Sequence, residues 1–158
     1  MKKFRMPISR TFPATHPKAG QPTYFYEAIC ESKKKHTIRA NYHNWANRAK
    51  QVNENIATIT YYEWDAKPYR SSNTDLFTLK FMHVSKLEFA DPGGVTINNI
   101  CDVFIDDILY KIPFNTIAKN DYLSPSDFYD WFAGDFTKTF ALNCFNKTAH
   151  EIYKEYKV

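Results

Sequence analysis

Residues 34–39 read Lys-Lys-His-Thr-Ile-Arg, and residues 22–29, shortly before them, read Pro-Thr-Tyr-Phe-Tyr-Glu-Ala-Ile. Threonine is a favourable N-terminal helix cap, so the earlier stretch predicts a short helix over 23–32. The later stretch predicts a strand over 36–40. A junction between a helix and a strand is a place where a fold directs polar side chains into a pocket. The two stretches therefore predict both the local fold and the position of a site.

Outside these stretches the hydrophobic pattern changes from helical to alternating. Apolar residues at helical spacing predict an amphipathic helix over 42–52, after which β-branched and aromatic residues alternate with polar ones. Ser124 and Pro125 are a capping residue and a favoured first helical residue, and they predict a helix over 125–133. The sequence predicts strands at 56–64, 75–89, 95–98, 100–105, 108–112 and 139–145, with a hairpin turn at Asp106-Asp107.

Many short strands with few helices between them, and no regular alternation of strand and helix, predict an α+β fold. We expect a small curled antiparallel sheet or a β-barrel with flanking helices. A chain of 158 residues fits one domain. Within a single domain over 1–158, we expect an extended N-terminal segment over 1–21 and a C-terminal tail helix over 148–158.

Composition narrows the function classes. Aromatic residues make up 17% of the chain, which predicts a core built from large rings, and the net charge of +4 permits a nucleic-acid ligand without requiring one. The three cysteines are far apart and no histidines have metal-ligand spacing, so we expect free thiols, no metal and no cofactor. There is no apolar run long enough to span a membrane. These features predict a cytoplasmic protein with no membrane partner.

Alternation along the strand places the side chains of Thr37 and Arg39 on one face and those of His36 and Ile38 on the other. Ile38 indicates that its own face is buried. Thr37 and Arg39 then line either a cavity or a solvent-exposed face. Lys34 precedes the strand and is able to reach over its end, although a solvated run with its two lysine neighbours is the alternative.

Two further features carry possible site chemistry. Asp121 lies just before the capped helix, and it is either a proton-transferring group or acceptor for a base amino group, or an ordinary turn carboxylate. Two aromatic rings and a cation occur close together near a strand end, at Trp64, Tyr69 and Arg70. They are expected either to stack on a nucleobase and contact its phosphate, or to form a packed turn with an exposed arginine.

The helix and strand around residues 34–39 resemble the ASCH domain, a small β-barrel related to the PUA fold. The hallmark of that family is Gly-x-Lys followed by x-Thr-x-Arg or x-Glu-x-Arg, and it falls here on Lys34, Thr37 and Arg39, with Ser32 in place of the glycine. Within the family the chain resembles the small bacterial amidohydrolases that act on acetylcytidine. Their downstream glutamate corresponds to Asp121, and the pattern is typical of a bacterial or prophage branch.

The resemblance implies an ASCH-like domain that binds RNA, a nucleotide or a nucleoside through a basic cleft. One alternative is an amidohydrolase acting on an acylated nucleoside, and a second is an accessory protein of a phage or mobile element that binds another protein. The catalytic residues would be Lys34, Thr37 and Asp121. The ligand-binding residues would be Tyr24, Phe25, Arg39, Trp64, Tyr69 and Arg70.

Overall fold

The computed structural model describes all of residues 1–158. The chain forms eight strands in two open sheets, with five α-helices and two short 3-10 turns. The strands are β1 (Lys2–Pro7), β2 (His36–Arg39), β3 (Ala57–Trp64), β4 (Asn73–Leu79), β5 (His83–Phe89), β6 (Ile100–Ile105), β7 (Ile108–Pro113) and β8 (Phe140–Cys144). The helices are α1 (Phe25–Cys30), α2 (Tyr42–Asn53), α3 (Phe114–Asn120), α4 (Pro125–Trp131) and α5 (Ala149–Ile152).

The predicted α+β class is confirmed, but the predicted curled sheet or β-barrel is wrong. One sheet has the order β1-β3-β4 and the other the antiparallel order β2-β8-β5-β6-β7, and neither is closed or strongly curled. The expected strand over 75–89 is in fact β4 and β5, which lie in different sheets. The chain changes sheet at residues 80–82, where the sequence has neither glycine nor proline to mark a break.

Strand β1 lies inside the extended N-terminal segment that we expect over 1–21. It pairs in parallel with β3, with Lys2 opposite Ala57 and Pro7 opposite Tyr62. Its sequence has three charged residues in six, so the strand depends on a partner more than fifty residues away rather than on its own pattern. The rest of the segment packs through His16, whose ring contacts Phe12 and whose Nε2 lies 3.1 Å from the Asp127 carbonyl of α4.

Several local predictions are resolved by backbone geometry. The Asp106-Asp107 hairpin turn is confirmed, because both residues have positive φ, as a tight two-residue turn requires. The Ser124 cap is also confirmed, since its hydroxyl accepts a hydrogen bond from the Asp127 amide at 3.2 Å. Thr23 is not the N-cap residue of α1, which is Tyr24. The Thr23 hydroxyl donates to the Ser9 carbonyl at 2.6 Å and accepts from the amide of Phe25, the first helical residue, at 3.3 Å.

Two other element predictions are wrong. Residues 95–98 form no strand, because the turn at Pro92–Gly94 is followed by further turn structure up to β6. The tail over 148–158 is not one helix: α5 ends at Ile152 and a separate 3-10 turn follows at Lys154–Tyr156. Helix α3 was not predicted, and it brings residue 121 towards β2.

The ring-rich core is confirmed. A set of phenylalanines, which we call the aromatic cluster, packs where α3 and α4 meet the five-stranded sheet. Its members are Phe89, Phe114, Phe128, Phe132, Phe136 and Phe140. This packing fixes α3 and α4 against the sheet and so fixes the loop between them, which carries Asp121.

Candidate functional site

The centre of the candidate site is a buried ion pair between Lys34 and Asp121. The Lys34 ammonium donates to the Asp121 carbonyl at 2.6 Å and to its carboxylate Oδ1 at 3.1 Å, and it lies 3.9 Å from the centre of the Phe25 ring. The two residues are only 2% and 5% exposed. Lys34 reaches this position from the turn between α1 and β2, and Asp121 from the C-terminal end of α3.

His36 extends this pair into a chain of four side chains. Its Nδ1 lies 3.3 Å from Asp121 Oδ1, and its Nε2 lies 2.6 Å from the Tyr153 hydroxyl. An ionised Asp121 only accepts, so in a neutral His36 the proton is on Nδ1 and Nε2 accepts from the Tyr153 hydroxyl. Sequence reasoning missed Tyr153 and did not include His36 among the site residues. The signal that was available is that Lys34 and His36 are two residues apart.

Charge and burial act against each other at the ion pair. Burial disfavours an ionised Asp121, but Lys34 and His36 together outweigh burial and hold the pKa of its carboxyl below the usual value. Burial lowers the pKa of the Lys34 ammonium, and Asp121 opposes that change. The carbonyl, the carboxylate and the Phe25 ring face around the ammonium favour its charged form, whereas burial and the nearby Arg39 disfavour it.

Thr37 and Arg39 lie beside the pair and line a small cavity with it, which we call the cation cavity. Its volume is about 20 Å³, and it is lined by Ile8, Ser9, Phe25, Lys34, Thr37, Ile38, Arg39, Asp121 and Trp131. Arg39 donates through Nη2 to the Pro7 carbonyl of β1, while its buried Nε has no partner. The Thr37 hydroxyl forms no hydrogen bond within the protein. The cavity wall therefore has one buried polar atom without a partner, Arg39 Nε.

A larger pocket of about 200 Å³, which we call the aromatic pocket, also has Phe25 in its wall. It is lined by Arg10, Pro22, Thr23, Tyr24, Phe25, Tyr26, Glu27 and Glu63. Tyr24 has a φ of 60° at the start of α1, and its ring is mostly exposed. The two spaces share Phe25 as a wall, and the consecutive residues Ser9 and Arg10 line one space each.

The structure divides the predicted site residues into two groups. Lys34, Thr37, Arg39, Asp121 and Phe25 meet at the cation cavity, and Tyr24 lines the neighbouring pocket. The remaining three do not line either space. Trp64 ends β3, and Tyr69 and Arg70 lie in the connection to β4, where the Trp64 and Tyr69 rings are 5.2 Å apart. The roles of all of these residues stay predictions.

Three further observations concern the cysteines, possible metal ligands and possible membrane spans. Cys30, Cys101 and Cys144 are free thiols. No group of three or more His, Cys, Asp or Glu side chains is arranged to hold a metal ion. None of the helices combines the length and the apolar character that a membrane span needs.

The low pKa of Asp121 makes a prediction about acid stability. A carboxyl whose folded pKa is depressed adds stability above its unfolded pKa, about 3.9, and this stability is lost as the pH falls through the folded pKa. We therefore expect the free energy of unfolding to fall between pH 5 and 2, and to fall less steeply in Asp121→Asn. Urea denaturation at each pH measures this difference. Asp130→Asn, at an exposed carboxylate, is the control, and equal slopes in all three proteins would contradict the prediction.

Comparison with known proteins returns no match: no protein-family model, no curated protein and no solved structure is significantly similar to this chain.

Proposed function

We propose that this protein is an ASCH-like domain that binds a nucleoside, a nucleotide or RNA through the cation cavity and the aromatic pocket beside it. The observation that carries the proposal is the excess of cation over anion in the cavity. Two cations, Lys34 and Arg39, face one carboxylate, and the Arg39 Nε is buried without an acceptor. A buried donor without a partner is costly, and a ligand acceptor would satisfy it.

The size of the cation cavity limits how such a ligand binds. A volume of about 20 Å³ admits one group about as large as a water molecule. The ligand would therefore place a single acceptor, such as a carbonyl or phosphate oxygen, next to Arg39 and Thr37. Its bulk would lie in the aromatic pocket, where Tyr24 and Phe25 offer ring surface for stacking.

Amide hydrolysis of an acylated nucleoside is the second candidate. It is favoured by the lowered pKa of Lys34 and by the Thr37 hydroxyl, which has no other partner and lines the same cavity. Against it, the Lys34 ammonium is held by Asp121, and Thr37 has no hydrogen bond to either residue. A nucleophile needs a base within hydrogen-bond reach, so the geometry supports binding better than catalysis.

A direct assay separates these two candidates. The protein is incubated with acetylcytidine, and the release of cytidine and acetate is followed by chromatography. Release that is abolished in Thr37→Val would establish the hydrolase. We expect no release above that of the variant, together with measurable ligand binding. The third candidate, a protein-interaction domain, is disfavoured because a polar cavity lies at Arg39.

We expect Arg39→Ala to weaken ligand binding about tenfold or more, because it removes a charge-assisted hydrogen bond. Titration calorimetry with the four ribonucleosides, their 5′-monophosphates and a short single-stranded RNA measures the effect. Lys35→Ala removes an exposed cation four residues away and is the matched control for nucleoside binding.

Salt dependence identifies the kind of ligand. Binding driven by the RNA backbone weakens linearly on a log–log plot against salt, whereas binding of one nucleoside in a pocket changes little. If no nucleoside, nucleotide or RNA binds, or if a folded Arg39→Ala binds as tightly as the unchanged protein, the proposed function is wrong.

A further inference from the structure

The aromatic pocket is lined by charged side chains as well as by rings that could stack on a base. Glu63 and Glu27 line it, and neither forms a hydrogen bond or an ion pair within the protein. Glu63 follows the irregularity in the β3–β4 ladder at Tyr61/Tyr62, and its neighbour Tyr62 pairs with Asp75. The side chain of Glu63 is half-buried, and burial raises the pKa of its carboxyl. An acceptor without a partner is therefore held in a partly desolvated place.

Arg10 supplies the opposite hydrogen-bonding character in the same pocket. One nitrogen of its guanidinium donates to the Asp65 carbonyl at 3.2 Å, which leaves its other donors available. The pocket thus presents carboxylate acceptors and guanidinium donors together, between aromatic side chains. Tyr24 is held in the left-handed backbone region, a costly conformation for a residue with a side chain, and its ring lies exposed at the pocket.

We propose that the aromatic pocket is a guanine-binding site in which Glu63 accepts from the N1–H and N2–H groups and Arg10 donates to O6 or N7. Guanine presents two adjacent donors, N1–H and N2–H, on its pairing edge, and two acceptors, O6 and N7, on its major-groove edge. An arginine guanidinium is the most common partner of O6 and N7. The other bases lack one half of this pattern: adenine and cytosine have a single donor group on the pairing edge, and uracil has no exocyclic amine. A pocket of about 200 Å³ has room for a purine.

This inference rests on the proposed function, since it identifies the base that the same ligand would carry. The guanine would lie against Tyr24, Phe25 and Tyr26, the aromatic residues that line the pocket. Its source is either a free nucleotide or a guanosine within RNA.

The test is titration calorimetry with GMP, AMP, CMP and UMP, and with the oligonucleotides UUGUU and UUUUU. We expect GMP to bind about tenfold or more tightly than the other three nucleotides, and Glu63→Gln to remove that preference. Glu155→Gln, at an exposed glutamate in the C-terminal tail, is the matched control and should keep the preference. Arg10→Gln tests the opposite edge of the base, and it should also weaken the binding of GMP more than the binding of UMP.

The outcomes separate the two proposals. Equal binding of all four nucleotides, abolished by Arg39→Ala, would overturn the guanine site and leave the proposed function standing. A GMP preference that survives in folded Glu63→Gln would also overturn it, whereas no binding of any probe would overturn both. Tight binding of UUGUU without binding of GMP would support the site and make RNA the source, and comparable binding of both would make it the free nucleotide.

Discussion

Lys34→Ala is expected to lower the free energy of unfolding by about 3–5 kcal/mol, because it leaves the buried Asp121 carboxylate without its main partner. The same change also removes the contact of the lysine with the Phe25 ring. Urea denaturation at pH 7 measures the loss. Lys33→Ala and Lys35→Ala, at the exposed neighbours, are matched controls and should each change stability by about 0.5 kcal/mol or less.

The partner variant tests whether this loss comes from the ion pair. Asp121→Asn leaves the ammonium buried and should also be strongly destabilising. The double variant Lys34→Ala/Asp121→Asn should then cost clearly less than the sum of the two single changes, since neither charge is left unpaired. Simple additivity of the two losses would show that Lys34 and Asp121 act independently and would contradict the ion pair.

The second large effect is expected in the aromatic cluster. Phe136 is 1% exposed, and its ring packs against those of Phe89 at 4.9 Å, Phe132 at 5.9 Å and Phe114 at 5.9 Å. Phe136→Ala should lower the free energy of unfolding by about 3–5 kcal/mol, because it removes a buried ring and leaves a cavity that its neighbours fill only partly.

Phe104 provides the comparison for this change. It lies on β6 and its ring is partly exposed, so Phe104→Ala should cost much less under the same denaturation conditions. If Phe136→Ala lowered the free energy of unfolding as little as Phe104→Ala, the neighbours of Phe136 would have moved in to fill the cavity. The aromatic cluster would then be more deformable than its packing indicates.

Elements that depend on local pattern were predictable from the sequence. Helix α2, strand β3 and the β6–β7 hairpin follow directly from hydrophobic period and turn residues. Strand β1 and the change of sheet at residues 80–82 were not predictable, because both depend on which strands pair across long distances in the chain. Long-range pairing leaves no periodic signal in a single sequence. For the same reason the sequence did not show that the strands divide into two open sheets instead of one barrel.

The candidate site shows the same division. Lys34, Thr37 and Arg39 were singled out because they are close in sequence, and Asp121 was singled out through the family resemblance. Tyr153 was not, since its contact with His36 is made from the far end of the chain. His36 was assigned to the face opposite Thr37 and Arg39, and it does not line the cation cavity. Alternation along β2 does not reveal that this face meets Asp121 and Tyr153, because both partners come from distant parts of the chain.

The hydrogen bond from Arg39 to the Pro7 carbonyl makes part of any ligand binding an exchange rather than an addition. An anion that takes over the Nη2 donor must displace a backbone acceptor that already occupies it. The heat released would then be the small difference between two similar bonds. The edge strand β1 would also lose this hydrogen bond to β2. An acceptor that uses the free Nε displaces nothing. The protein would thus distinguish ligands by their direction of approach, favouring those that leave the link between its two sheets intact.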